Sequence, residues 1–406
     1  MATRDIVIIG GGIIGCTTAY YLTRHPSASS TKITLIEASA HGPAQGASGK
    51  AGGLVARWAY PKEIVDVSFE EHVKLAAEHN GKDCWGWRYV GCGSWEGRGE
   101  AVVPPEQDGI GGSKSLEKTL GLPRGQKPAA RLHQPRKTNG RPRDLHWVKE
   151  ELTDSYTPMA KDGETAQVHP YLFTTRMFEL AKNEGLNYIR GKAISILKKD
   201  GSVTGIEYLN PITHEKESIS ATHVVLAAGA WSPTIVDDLP IAATRAHSIT
   251  IRPKEGVAIA PYVLFTEILD PESSKTSSPE IYARPDDEIY ACGSGDDCPL
   301  PPTVDDVVVD QPSCDLIQRQ VYGISQQLRE GTVEKRQACY LPTVSTGGGP
   351  IIGEASRIAK GLFIGTGHTC WGISNAPGTA RALTELIMDG KVKCVNLKKL
   401  NPSVFL

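Results

Sequence analysis

The sequence is poor in several features that would define a class of protein at once. Aromatic residues make up 6% of the 406 residues. No apolar run approaches the roughly 18 residues that a membrane-spanning helix needs. Nine cysteines are present, and no two of them have the Cys-x-x-Cys spacing of a zinc ribbon. We therefore expect no integral membrane protein and no disulfide framework, and this cysteine usage fits a reducing cytosol.

An excess of charge of one sign is also missing. Lys and Arg number 44 and Asp and Glu number 46, so the net charge is −2. This balance predicts no general attraction to nucleic acid or to an acidic membrane. The chain starts with a strand-like run at residues 5–9, without an apolar leader and cleavage site. We expect a cytoplasmic protein with no transmembrane segment and no nucleic-acid partner.

One segment, residues 97–163, departs from this balance and is rich in Gly, Pro, Lys and Arg. Residues 113–149 hold ten Lys and Arg side chains against two acids, Glu117 and Asp144. Such a run of like charge is typical of a solvated insertion. The alternative is a patch that binds an anionic partner or a membrane surface.

The first forty residues have the pattern of a strand, a glycine turn, a helix and a second strand. The turn reads Gly10-x-Gly12-x-x-Gly15, and the acid Glu37 ends the second strand. In this motif the glycines permit a tight turn, close approach of a pyrophosphate and close packing of helix on strand. The helix N-terminus then offers N–H groups to the phosphates, and the acid binds the ribose hydroxyls. The pattern predicts dinucleotide binding, and no metal site is indicated.

The second half of the chain adds two glycine-rich segments. An apolar strand over residues 222–231 ends in small residues and Trp231, and residues 365–378 turn from a strand into a helix over 373–389. Between them, residues 244–310 alternate like antiparallel strands, and residues 314–330 have the pattern of one amphipathic helix.

Together these segments resemble the D-amino-acid oxidase superfamily of FAD-dependent oxidoreductases, in the branch of the sarcosine and glycine oxidases. The resemblance extends to fungal oxidoreductases of this superfamily that are linked to endosomal trafficking. It implies an α/β fold, in which a Rossmann-like FAD-binding domain is interleaved with a substrate domain built on a mixed, largely antiparallel sheet. The predicted FAD domain comprises residues 1–62, 164–240 and 338–406, and the predicted substrate domain comprises residues 63–163 and 241–337.

The resemblance also predicts which residues bind FAD. The implied set is Gly10, Gly12, Ile13, Ile14, Gly15, Glu37, Ala38, Ser48, Ala51, Gly52, Gly53, Leu54, Ala193, Ala228, Gly229, Trp231, Gly353, Gly367, His368, Gly372 and Ile373. Lys50 stands where a related branch has the histidine that links FAD covalently. Cys339 stands where sarcosine oxidases attach FAD through sulfur, and a buried unreactive cysteine is the alternative. We expect non-covalent FAD.

Three residues are candidates for the reaction itself. Arg57 resembles the arginine that binds the substrate carboxylate in sarcosine oxidases, and a surface arginine is the alternative. His247 would face the flavin or else be a core histidine. Lys254 lies in the stretch where the sarcosine oxidase branch has a lysine that helps to activate oxygen, and a solvated lysine is its alternative. Leu341 replaces a second carboxylate-binding arginine of the family, which puts a small amino-acid substrate in doubt.

Two functions follow from the resemblance. The first is oxidation of a small-molecule amine or amino acid by hydride transfer from Cα–H to flavin N5, by an oxidase or a dehydrogenase. The second is a flavoprotein with weak or no turnover that acts as a trafficking or scaffold factor, which Leu341 and the basic insertion favour. The fungal resemblance adds an association with endosomes to the cytoplasmic location.

Overall fold

The computed structural model describes residues 4–102, Leu116 and residues 139–406. Most of the basic segment, residues 103–115 and 117–138, lies outside the described residues. The prediction of a solvated insertion or an anionic partner falls mainly there. The described chain forms four sheets with helices packed around them.

The first sheet has six strands and contains the predicted dinucleotide-binding motif. In spatial order the strands are β19 (Ile351–Glu354), β20 (Leu362–Thr366), β12 (His223–Leu226), β1 (Arg4–Ile9), β2 (Thr31–Glu37) and β8 (Asn187–Arg190). All neighbours are parallel except β19 and β20. The central strand β1 is buried on both faces, as parallel strands usually are. Ile6 and Ile8 join one core, and Val7 and Ile9 join another.

Helices cover the face of this sheet to which Ile6 and Ile8 point. They are α1 (Ile13–Thr23), α3 (Lys62–Glu78), α5 (Pro170–Asn183) and α8 (Gly372–Asp389), with the short helices α2 (Ala47–Lys50) and α4 (Gly81–Trp85) beside them. The opposite face packs against a three-stranded antiparallel sheet of β9 (Lys192–Lys199), β10 (Ser202–Leu209) and β11 (Lys216–Ser220). A third, small sheet contains β3 (Leu54–Ala56), β7 (Thr165–Gln167) and β4 (Arg88–Tyr89).

The fourth sheet is the largest. Its strands in order are β18 (Thr332–Val344), β13 (Ile241–Arg252), β17 (Ile289–Asp296), β16 (Glu280–Ala283), β14 (Tyr262–Leu269), β5 (Gly91–Arg98) and β6 (Thr153–Pro158), with β15 (Thr276–Ser277) paired to β14. Only β14 and β5 run parallel among these pairs. The mixed, largely antiparallel sheet beside a Rossmann-like sheet confirms the predicted fold class.

Two local predictions need correction. The helix expected over residues 314–330 is two helices, α6 (Gln311–Ile324) and α7 (Gln326–Arg329). Ser325 is extended between them, and its side chain accepts the Leu328 N–H as the cap of α7. Part of the predicted insertion is also core, because Leu145 and Trp147 are fully buried against Trp95. The domain boundaries stay a prediction. Strand β18 continues across the predicted boundary between residues 337 and 338.

Candidate functional site

One continuous cavity connects the first sheet to the large sheet. We call its two extremes the glycine end and the sheet end. The glycine end is lined by residues 10–14, Glu37 and Ala38, and the sheet end by Phe265, Glu280, Tyr282, Tyr290 and Cys292. Between them, residues 51–54 and 368–373 form the walls.

At the glycine end, three glycines do three different things. Gly10 has φ +108°, and a Cβ there would lie 2.5 Å from the Ala227 carbonyl oxygen. A Cβ on Gly15 would lie 1.9 Å from the Gly10 oxygen, so this glycine lets α1 pack on the end of β1. A Cβ on Gly12 would meet only the Ser48 hydroxyl, at 3.1 Å. The space above Gly12 is therefore open to a ligand.

The N-terminus of α1 faces this space. Its cap is Gly12, which makes no side-chain capping hydrogen bond, and its first turn has no acid. The Ile13 N–H donates to the Ser48 hydroxyl at 2.8 Å. A helix start of this kind presents N–H groups and partial positive charge, which suits a phosphate.

Glu37 closes the glycine end. Its carboxylate accepts the N–H of Gly11 at 2.6 Å and the N–H of Ser39 at 2.7 Å. Burial raises the pKa of Glu37 above its ordinary value, against the lowering effect of these donors. Each oxygen keeps a lone pair for a further donor, so the carboxylate can accept two neighbouring hydroxyl groups of a ribose.

The middle of the cavity is walled by the start of α8. Trp371 is the N-cap, without a capping side chain, and no acid occupies the first turn. His72 supports this turn from behind through a 2.9 Å hydrogen bond between its Nε2 and the Ile373 oxygen, and burial lowers the pKa of His72 to about 4. Burial lowers the pKa of His368 to about 3, so this cavity-lining imidazole is neutral at pH 7.

The sheet end is built by two paired strands. Glu280 lies opposite Cys292, and Tyr282 lies opposite Tyr290, so the four side chains share one face of the sheet. The Tyr282 hydroxyl donates to Glu280 at 2.6 Å. Burial raises the pKa values of Tyr282 and Tyr290 well above 10, so both phenols stay protonated.

A second wall at the sheet end is apolar. Leu341 and Cys339 of β18 pack with Ala246 and Leu116, and all four line the cavity. Burial raises the pKa of Cys339 to about 11, which keeps it a thiol at neutral pH. Lys50 points elsewhere, donating to the Ala338 oxygen at 3.1 Å. Among the cavity-lining residues that the structure describes, Lys192 is the only Lys or Arg.

Most residues of the predicted FAD-binding set line this cavity. They are Gly10, Gly12, Ile13, Ile14, Glu37, Ala38, Ser48, Ala51, Gly52, Gly53, Leu54, Ala193, Ala228, Gly229, Trp231, His368, Gly372 and Ile373. Gly15 lies behind the wall, as described. Gly367, with φ +81°, makes a close approach to Val344. Gly353 lies in the edge strand β19 near Pro402, away from the cavity.

The three predicted reaction residues lie outside the cavity lining. The Arg57 guanidinium stacks 4.5 Å above the Phe69 ring and lies 3.8 Å from the Asp66 carboxylate. His247 is a core histidine that accepts the Asp310 N–H at 3.0 Å, and burial lowers its pKa.

Lys254 is exposed and pairs with Glu330 at 3.0 Å. The side chains of all three therefore have partners elsewhere, and their part in a reaction stays a prediction.

Sequence reasoning missed the acid and the phenols of the sheet end. The signal was present as a two-residue alternation, because Glu280 and Tyr282 are one step apart on a face, as are Tyr290 and Cys292. Only the pairing of the two strands shows that these faces are the same. The loop residues Pro302, Thr303 and Val304, which also line the cavity, were missed as well.

Two further observations concern metal-binding groups and membrane-spanning helices. The described residues include no group of three or more His, Cys, Asp or Glu side chains arranged to hold a metal ion. Within residues 4–102 and 139–406, none of the helices combines the length and apolar composition that crossing a bilayer requires.

A glycine cradle, an acid that can accept ribose hydroxyls and a second helix start lie along one cavity, and this arrangement is typical of a flavin-dependent oxidoreductase. The chain belongs to the DAO family of FAD-dependent oxidoreductases, whose family model matches residues 5–386. The geometry of the cavity also fits FAD. The open space above Gly12 and the uncapped start of α1 suit its pyrophosphate, and the uncapped start of α8 suits its flavin.

Two fungal proteins are similar to this chain over nearly its whole length. "Putative oxidoreductase TDA3" of Saccharomyces cerevisiae is 32% identical, over 99% of this chain and 95% of the relative. "Putative oxidoreductase C1F5.03c" of Schizosaccharomyces pombe is 31% identical, over 98% of each chain.

Solved structures share the fold at low sequence identity. Iminodiacetate oxidase from Chelativorans sp. BNC1 is 19% identical and covers 98% of each chain, with a TM-score of 0.68. Glycine oxidase from Bacillus cereus is 18% identical and covers 96% of each chain, with a TM-score of 0.68.

Proposed function

We propose that this protein oxidises a small-molecule amine or amino acid with FAD. The observation that carries the proposal is the continuity of the cavity, from the glycine end past the start of α8 to a buried acid and two phenols. Solved relatives named as oxidases of iminodiacetate and glycine have the same fold and support this class of reaction.

Each part of the cavity has a distinct task in this function. FAD, when bound, supplies the acceptor of a hydride from the carbon that carries the amine. The N–H groups at the start of α1 would hold the pyrophosphate, and Glu37 would accept hydrogen bonds from the ribose. The uncapped start of α8 would stabilise negative charge in the middle of the cavity.

The sheet end would bind and orient the substrate. The Glu280 carboxyl group gives this end a hydrogen-bonding group, and the rings of Phe265, Tyr282 and Tyr290 surround it with aromatic surface. A carboxyl group among aromatic rings can accept a hydrogen bond from a substrate that carries an amine. The buried walls would keep water away from the reacting carbon.

The test is anaerobic mixing of the FAD-loaded protein with a panel of amines, with and without a carboxylate. We expect at least one compound to bleach the yellow absorption of the oxidised flavin. A flavin that stays yellow with the whole panel would contradict the proposal. It would favour the alternative, a flavoprotein without turnover that acts in trafficking or as a scaffold, which the apolar Leu341 wall supports.

Non-covalent attachment of FAD is part of the proposal, and acid precipitation tests it. Because burial keeps the pKa of Cys339 near 11, the reactive thiolate is scarce. A yellow supernatant over a colourless pellet is expected. A yellow pellet that becomes colourless in Cys339→Ser would demonstrate a thioether instead. The proposed cytoplasmic and endosomal location is tested separately by fractionation of cells.

A further inference from the structure

A loop of the large sheet crosses to the far side of the cavity. It leaves β17 after Asp296 and returns to the large sheet's helix α6 at Gln311. We call residues 299–306 the strap. Pro302, Thr303 and Val304 of the strap line the cavity on the side of the glycine end. Val304 also reaches Gly46, where an added Cβ would lie 3.4 Å from its methyl group.

The strap is tied down at both of its ends. At its start, the Tyr340 hydroxyl donates to the Pro299 oxygen at 2.8 Å, and the Trp231 indole N–H donates to the Pro301 oxygen at 2.8 Å. At its far end, Asp305 accepts the Ser39 hydroxyl at 2.6 Å and the Ala40 N–H at 2.7 Å. A capping box between Thr303 and Asp306 shapes the short turn that presents Asp305.

The hydrogen bonds of Asp305 at the far end of the strap are the informative contact. They connect the loop that follows β17 of the large sheet to the segment that follows β2 of the first sheet, at the predicted ribose site. Ser39 and Ala40 lie two and three residues after Glu37, and the Ser39 N–H is one of the donors to Glu37. Both oxygens of Asp305 are occupied by this segment, so Asp305 acts on the cofactor site through Ser39 and Ala40. It is a positioning residue.

We propose that the strap retains FAD, with Asp305 as the latch that holds it closed over the adenosine side of the cavity. A ligand in the glycine end lies beneath Pro302, Thr303 and Val304, and it leaves on that side only after the latch opens. Opening breaks two hydrogen bonds at Asp305 while the anchors at Pro299 and Pro301 hold the other end. The strap therefore controls the rate of FAD release, whatever the substrate of the enzyme is.

The test measures FAD release from holoprotein, by timed filtration and the flavin absorbance that stays with the protein. Asp305→Ala removes both acceptors, and we expect release to be about 5- to 10-fold faster, since two partly exposed hydrogen bonds are lost. Asp305→Asn keeps one acceptor oxygen, and its rate of FAD release should lie between those of Asp305→Ala and the native protein. The matched control is Asp297→Ala, which removes an exposed acid of the same loop and should release FAD at the native rate.

A second variant keeps the proposal open to refutation if Asp305→Ala fails to fold. Tyr340→Phe removes only the hydroxyl that anchors Pro299, and it should also speed release, by a smaller factor. Native release rates in folded Asp305→Ala, or in Tyr340→Phe where the first variant does not fold, would overturn the proposal. Equal acceleration by Asp297→Ala would overturn it too, because the effect would then be one of loop charge.

Discussion

The two ends of the cavity are made in opposite ways. At the glycine end the ligand-facing groups are mostly backbone, supplied by residues 10–14 within one strand–turn–helix unit. At the sheet end they are side chains, and strands β14, β16, β17 and β18, which are separated along the chain, each supply part of them. Backbone groups recognise what is common to dinucleotides, whereas side chains can differ with the substrate. Binding of FAD and choice of substrate should therefore respond to separate mutations.

The largest expected effect comes from substitution of glycine in the cradle. Gly12→Val should abolish FAD binding and leave the apoprotein folded, because the Cβ enters space that is open apart from Ser48. Gly15→Ala should instead destabilise the apoprotein by about 3 kcal/mol or more, since its Cβ meets the Gly10 oxygen at 1.9 Å. Flavin absorbance and urea unfolding separate the two effects. Full FAD content in folded Gly12→Val would show that the cradle has been misassigned.

The sheet end should give the converse result. Glu280→Gln should keep FAD but slow anaerobic flavin reduction by an amine about 10- to 100-fold, because the carboxyl group proposed to bind the substrate amine is lost. Tyr282→Phe, which removes the donor to Glu280 and keeps the ring, is the matched variant and should have a smaller effect. If Glu280→Gln lost its FAD while its reduction rate stayed native, the separation of the two ends would fail.

Two buried histidines predict how the free energy of unfolding depends on pH. His368 lines the middle of the cavity, and His72 supports the start of α8 there. Burial lowers the pKa of His72 to about 4 and that of His368 to about 3, from an ordinary value of 6.5. The unfolded chain binds protons below pH 6.5 that the folded chain does not, so stability falls as the pH drops from 6.5 towards 4. Each histidine contributes up to about 1.4 kcal/mol per pH unit.

Urea unfolding of the apoprotein at pH 7 and pH 5 measures this loss. His368→Asn should reduce it, and His214→Asn, on an exposed turn, should leave it unchanged. An identical loss in His368→Asn and in the native protein would exclude His368 as a source.

The smallest effect is expected at Lys254. Its exposed pair with Glu330 lies apart from the cavity lining, so Lys254→Met should change neither urea unfolding nor the rate at which air re-oxidises the reduced flavin. Stopped-flow absorbance measures that rate. Slower re-oxidation in the variant would restore Lys254 as an oxygen-activating residue and extend the reaction machinery beyond both ends of the cavity.

The sequence alone predicts more of the glycine end than of the sheet end, and the reason is physical. Gly10, Gly12, Gly15 and Glu37 are set by one local unit whose geometry fixes their spacing. The sheet end depends on the register between β16 and β17, which places Glu280 beside Cys292. Register is a long-range property, so Tyr282 and Tyr290 were missed. Arg57 was selected by local resemblance, and the structure places it in the turn after β3, where its guanidinium stacks on Phe69 of α3.

The order of strands in the first sheet has a consequence for how the protein is made. β1 and α1 are synthesised long before β20 and α8, yet β20 pairs with β12, and the start of α8 forms part of the cavity wall. A nascent chain that has not yet emerged as far as Ile373 has the glycine turn but lacks part of the cavity wall. Loading of FAD into the complete cavity therefore requires that the chain has emerged from the ribosome at least as far as Ile373.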